Sequence, residues 1–190
     1  MTLSKLHLIM PPPTEPVFPG TENDWIVFQN RIGLTFPVEY FAVVNTYGSG
    51  HFLDGEVKIA NPFDPDYDRW VELELRTLRD RQSNFPFPIF PESGGLYPFG
   101  LDGNGNSFVW KTDGPANTWP IVCLNGEDHW EAVKYTLSDF LVRMASNSVE
   151  VDRRKFWGLF SGEVRFEPRK LPNRKGKSKK WYFRNIQEVH

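Results

Sequence analysis

The sequence predicts a mixed fold, with short helices and with strands joined by tight turns. Three observations predict it. Apolar residues recur at helical spacing in several segments, glycine- and asparagine-rich turns separate short apolar runs, and 39% hydrophobic content is enough to build a core. At 190 residues, the chain has the length of one good-sized domain.

The start, MTLSKLHLIMPPP, carries a short apolar run that three prolines cut before it could act as a secretory leader. No small-residue cleavage site follows and no run approaches a membrane span, so the expected location is the cytoplasm. Residues 11–20 are proline-rich and read as an extended arm. Thr21 with Asp24 has the form of a capping box. Trp25, Phe28 and Ile32 then share a helical face that Gly33 ends. A second helix opens at Pro37, with Tyr40, Phe41, Val44 and Tyr47 on its apolar side and Gly48-Ser49-Gly50 as its stop.

Phe52 and Val57–Ile59 read as strands around an Asp54-Gly55 turn, followed by the loop NPFDPDYD. A third helix is expected over 69–82, burying Val71, Leu75 and Leu78. The stretch FPFPIFPESGG is irregular, because its prolines confine any strand to an edge. Tyr97–Leu101 and Ser107–Lys111 flank Asp102-Gly103-Asn104-Gly105-Asn106, a strong hairpin signal. Ile121–Leu124 reads as a central strand and Trp130–Lys134 as its neighbour. A helix over 137–146 is capped by Thr136 or Ser138 and faces Leu137, Phe140, Leu141 and Met144 inward. Beyond Asn147, a helical turn around Phe156-Trp157 precedes two alternating runs, Glu163–Glu167 and Trp181–Ile186, expected to form a hairpin with a basic tip. The expected division is a domain over 1–160 and a basic extension over 161–190.

Nothing in the residues marks a catalytic centre. Gly48-Ser49-Gly50-His51 follows a helix, whereas a nucleophile elbow sits between strand and helix. Cys123 lies in an apolar strand, where a thiol stays protonated. No histidine pair has metal-ligand spacing. Asp64, Asp66 and Asp68 imitate the first ligands of a calcium loop, but Arg69 replaces the glycine and Leu75 the bidentate glutamate. Asp102, Asn104 and Asn106 repeat the spacing, and a hairpin turn explains them. Neither a metal nor a cofactor is expected.

Charge is segregated. Residues 1–167 carry 14 basic and 23 acidic side chains, a formal charge of −9, while residues 168–190 carry eight basic and one acidic, +7. An acidic body is a poor phosphate binder and a good surface for a basic protein. Asp54, Glu56, Asp64, Asp66 and Asp68 make the candidate face, with Glu72 and Glu74 nearby and Trp70, Tyr67 and Phe63 as candidate aromatic anchors, Trp70 having a place in the core as its equal alternative. The tail bases Arg174, Lys175, Lys177, Lys179 and Lys180, next to Trp181, Tyr182 and Phe183, have two readings. They could contact a nucleic acid or another partner, or they could pair with the protein's own acidic body. A protein partner is favoured over nucleic acid, and exposed strand edges leave pairing of two chains open.

The series Trp25, Phe28, Ile32-Gly33, Phe36-Pro37-Val38-Glu39-Tyr40 and Tyr47-Gly48-Ser49-Gly50 resembles the N-terminal motif of the SUKH superfamily. The match continues through Ile59, Asn61-Pro62-Phe63, Pro98–Asp102, Gly105-Asn106, Phe108–Trp110, Trp119–Val122, Trp130 and Ser138–Leu141, and so covers about residues 21–146. That superfamily includes the bacterial Smi/Knr-type immunity proteins and a yeast regulator of cell-wall synthesis. The resemblance implies an α+β fold, with helices packed on a curved, mostly antiparallel sheet, and no enzymatic residues. Trp25, Pro37, Tyr40, Gly48 and Gly50 are implied as fold determinants. The implied partner is a cognate toxin, often a nuclease or deaminase, with a regulatory or scaffolding module as the alternative.

Overall fold

A computed structural model describes residues 2–152 and 162–171. Among the described residues five α-helices, α1 (Thr2–Ile9), α2 (Glu22–Ile32), α3 (Val38–Tyr47), α4 (Tyr67–Asp80) and α5 (Leu137–Ala145), accompany seven strands. These are β1 (Gly50–Phe52), β2 (Val57–Ile59), β3 (Leu96–Asp102), β4 (Ser107–Lys111), β5 (Ile121–Leu124), β6 (Trp130–Val133) and β7 (Phe166–Pro168). The strands form one antiparallel sheet in the order β6-β5-β4-β3-β2-β1-β7. The first six therefore run as a meander, each beside the strand before it, and the last returns to pair with β1. The expected α+β fold with an antiparallel sheet is the observed one.

Local chemistry explains the early helices. In α2 the Thr21 amide donates to Asp24 Oδ2 at 2.9 Å and the Asp24 amide donates to Thr21 Oγ1 at 3.2 Å, a complete capping box. Gly33 ends the helix at φ 77°, the left-handed conformation that costs glycine nothing. Pro37 stands at the N-cap of α3, just ahead of the first helical residue. In α5 the Thr136 hydroxyl accepts the Asp139 amide, so Thr136 is the cap rather than Ser138.

The sheet is covered on both faces. Phe108 packs its ring 5.1 Å from Phe140 of α5, and Trp110 lies 5.0 Å from Tyr40 of α3. Alternate residues of β4 point the other way, and there the Ser107 hydroxyl donates to Glu74 of α4 at 2.8 Å. Helices α3 and α5 therefore lie on one face and α4 on the other. Phe108, Val109 and Trp110 of β4 and every residue of β5 are buried as a result.

Three elements depart from the sequence reading. Helix α1 forms where only an interrupted apolar run was expected. Its Leu6 is fully buried, as is the following Met10, whose carbonyl accepts the Tyr47 hydroxyl at 2.6 Å. Helix α4 starts at Tyr67, two residues early, because Tyr67, Trp70, Val71, Leu75 and Leu78 form one continuous buried stripe. Residues 162–171, assigned by sequence to an appended extension, supply β7 to the sheet. Phe156-Trp157 and the second alternating run, 181–186, lie outside the described residues.

Candidate functional site

The predicted acidic residues fall in two places, Asp54 and Glu56 in the β1–β2 turn, and Asp64, Asp66 and Asp68 in the loop into α4 and its first turn. Asp54 sits in the β1–β2 turn with φ 55° and forms an ion pair with Arg165. Arg165 also reaches Glu163 at 3.0 Å and Glu167 at 2.9 Å, so three carboxylates surround one guanidinium. Glu56 is exposed in the same turn, and its carbonyl accepts the Gly103 amide at 2.7 Å. Asp68 is exposed and takes both ends of the Arg31 guanidinium at 2.9 Å each, the parallel fork that arginine makes with a carboxylate.

Asp64 and Asp66 form the best-built part. The buried amide of Asn61 donates to the Phe18 carbonyl and to Ser49 Oγ, both at 3.0 Å, while its oxygen accepts the Phe63 amide at 2.9 Å. One side chain thus fixes the arm, the end of α3 and the loop that leads into α4. Asp64 is buried, and its Oδ1 accepts the Asp66 amide at 3.0 Å. Arg169, just past β7, places one guanidinium nitrogen on Asp64 and the other on Asp66 at 2.9 Å. Its guanidinium also lies 5.9 Å from the centre of the Phe18 ring, within reach of a cation–π attraction. Burial pushes the Asp64 carboxyl up, but the Arg169 guanidinium, the Asp66 amide and the Ser49 hydroxyl together hold it below the usual carboxylate range. Lys58 is near enough to feel Asp64 and Asp66, although burial pushes its amine down.

The three aromatic residues are not exposed anchors. Trp70 is 6% exposed and Tyr67 4%, both on the buried stripe of α4, and the Tyr67 hydroxyl meets that of Tyr97 at 3.0 Å. Phe63 is half-buried, with its ring 4.9 Å from Trp25. Trp70 therefore belongs to the core: it falls three residues after Tyr67 and one before Val71, which puts it on the inward side of the helix. The tail bases Arg174, Lys175, Lys177, Lys179 and Lys180 lie outside the described residues.

The residues implied as fold determinants occupy close-packed positions. Trp25 packs against Tyr40 at 5.5 Å and Phe41 at 4.2 Å, and its Nε1–H donates to Asn45 at 2.9 Å. Tyr40 donates its hydroxyl to the Ala60 carbonyl at 2.6 Å. A Cβ on Gly48 would stand 2.4 Å from the Val17 carbonyl oxygen, and one on Gly50 would stand 2.3 Å from the Phe166 ring.

The chemical groups weighed as nucleophiles or ligands serve the fold. Ser49 is buried and bonded to Asn61. Burial pushes the Cys123 thiol far up, which keeps it protonated. Asp102 spends its carboxylate on its own hairpin, accepting the Asn104 and Asn106 amides at 2.9 Å each and the Asn106 side chain at 2.6 Å. Among the described residues no group of three or more His, Cys, Asp or Glu is arranged to hold a metal ion. No helix among them is long and apolar enough to cross a membrane.

Sequence reasoning named neither Arg31 nor Arg165 as a residue that meets these acids, and it held Arg169 only as one of the eight tail bases that could pair with the acidic body. Their partners in the predicted face lie tens of residues away in sequence, so no local pattern signals those pairs, although Arg165 also has Glu163 and Glu167 beside it.

Helices packed on one antiparallel sheet make an α+β domain. The chain belongs to the SMI1-KNR4 cell-wall family, SUKH_6, whose model matches residues 22–141. This family includes immunity proteins and is generally made of non-enzymatic immunity and regulatory domains that bind partner proteins. A search of curated proteins finds no match.

Proposed function

We propose that this protein is a non-enzymatic cytoplasmic immunity protein that neutralises a cognate toxin, of a nucleic-acid-modifying kind, by binding it non-covalently. The observation that carries the reading is that Asp54, Asp64, Asp66 and Asp68 each hold an arginine guanidinium of the protein's own chain. A surface that binds guanidinium groups within one chain has the chemistry to bind them on another. Toxins that act on nucleic acid carry basic grooves for the phosphate backbone. An acidic surface complements such a groove and speeds encounter with it. The charge of −9 over residues 1–167 supports the same polarity.

Co-expression with a candidate toxin tests the proposal. Glu56 and Asp68 are exposed, so Glu56→Lys and Asp68→Lys reverse charge with little cost to the fold. Wild-type protein is expected to restore growth and the double variant to lose protection while melting normally. Full protection by the double variant would remove this surface from the contact.

A second reading is a regulatory module of the same fold, supported by the cell-wall description that the family carries. It is favoured if no toxin that the protein protects against is encoded beside its gene.

A further inference from the structure

Resting on the reading of the acidic end as a partner surface, we propose that residues 163–169 act as an intramolecular plug. Arg169 occupies in cis a guanidinium cradle made by Asp64, Asp66 and the Phe18 ring, and a partner's arginine takes its place when β7 is displaced.

The cradle selects arginine by shape. Its two anchoring carboxylates belong to different residues and receive different nitrogens of one planar guanidinium, and the Phe18 ring lies beside it. A lysine ammonium is a point charge without the second prong, so it cannot engage both carboxylates and the ring in the same way. The cradle is also pre-organised. Asn61 holds the Phe18 carbonyl and Ser49, and Asp64 closes on the Asp66 amide.

The plug is attached lightly compared with the rest of the sheet. Strand β7 has three residues, pairs only with β1 among the described strands, and ends in a proline that lacks an amide. Its apolar hold is the half-buried Phe166, whose ring meets Tyr47 at 5.1 Å and Phe52 at 4.8 Å. The flanking anchors are the ion pairs of Arg165 with Asp54 and of Arg169 with Asp64 and Asp66, one backbone hydrogen bond on each side (Asp54 amide to the Arg165 carbonyl at 3.3 Å, Arg169 amide to the Ser49 carbonyl at 2.8 Å) and the half-buried Val164. Asp64 is deeply placed, with a side chain only 7% exposed, whereas Asp66 is 62% exposed. Stripping Arg169 away would leave a buried carboxylate short of its counter-charge, so the favoured event is exchange of one guanidinium for another rather than simple opening. The plug therefore screens the acidic end from weak or non-specific cations and yields to a partner that presents arginine.

The test uses the full chain with nona-arginine and nona-lysine peptides as probes, read by fluorescence anisotropy at low and physiological salt. Arg169→Gln empties the cradle. Phe166→Ala loosens β7 without touching the cradle, and it serves if Arg169→Gln fails to fold. Either variant is expected to bind nona-arginine at least ten-fold tighter than wild type and to gain much less for nona-lysine. Adding Asp64→Asn and Asp66→Asn is expected to abolish the gain. Unchanged nona-arginine affinity in both variants overturns the plug, as does an equal gain for both peptides or a gain that survives loss of the two carboxylates. These readouts need no toxin. A gain for nona-arginine alongside unaltered protection by Glu56→Lys/Asp68→Lys would leave the plug standing and reject the toxin surface.

Discussion

Arg169 and Asp64 meet across 105 residues of sequence and join the strand that closes the sheet to the loop that starts α4. The pair sets the end of the molecule where the sequence placed its partner surface. It also makes that surface sensitive to pH in a defined direction. Asp64 has a folded-state pKa below its unfolded value, so its contribution to stability is present above the usual aspartate pKa of about 3.9. That contribution is lost as pH falls through the lower folded value. Acid titration of the melting temperature is expected to show a decline below about pH 4 that Asp64→Asn flattens.

Glu74 should behave oppositely. Burial where α4 meets the sheet raises its carboxyl pKa, against the Ser107 hydrogen bond that lowers it. A raised folded pKa means that ionisation opposes folding as pH rises through the glutamate range. Glu74→Gln, which keeps an acceptor for Ser107, is expected to raise the melting temperature at pH 7. The gain should shrink as pH falls through the raised folded value and be gone below the usual glutamate value.

Gly48 is expected to resist substitution. It has φ 69° and ψ −155°, a region that residues with a Cβ rarely enter, and a Cβ there would meet the Val17 backbone at 2.4 Å. Gly48→Ala is expected to cost about 1–3 kcal/mol or more, measured by urea unfolding. Tyr40→Phe removes the hydroxyl that satisfies the buried Ala60 carbonyl and should cost about 1–3 kcal/mol.

Cys123 gives a simple check on the interior. It is fully buried in β5 between β4 and β6, and burial drives its pKa far up. Native protein is expected to be inert to Ellman's reagent at pH 8 and to react with one equivalent when unfolded.

The elements that local chemistry controls were legible in the sequence. The Thr21–Asp24 box, the Gly33 stop, the Thr136 cap and the Asp102–Asn106 hairpin each depend on a few adjacent residues, and each formed where expected. Helix α1 was hidden by the prolines that follow it, although Leu3, Leu6 and Met10 already carry helical spacing. Trp70 was misjudged by reading its acidic neighbours instead of the helical period, which extends inward from Tyr67 to Leu78. The cradle was legible only in half. Its carboxylates stood out as a charged loop, but Arg169 reaches them through strand pairing with β1, a long-range event without a local signal.

The toxin-binding role of the acidic end is tested most directly by the association rate of purified protein and toxin as a function of salt, for wild type and Glu56→Lys/Asp68→Lys. Electrostatic steering predicts a wild-type rate that falls steeply with ionic strength and a double variant at least about ten-fold slower at low salt. Equal rates for the two proteins, independent of salt, would contradict it.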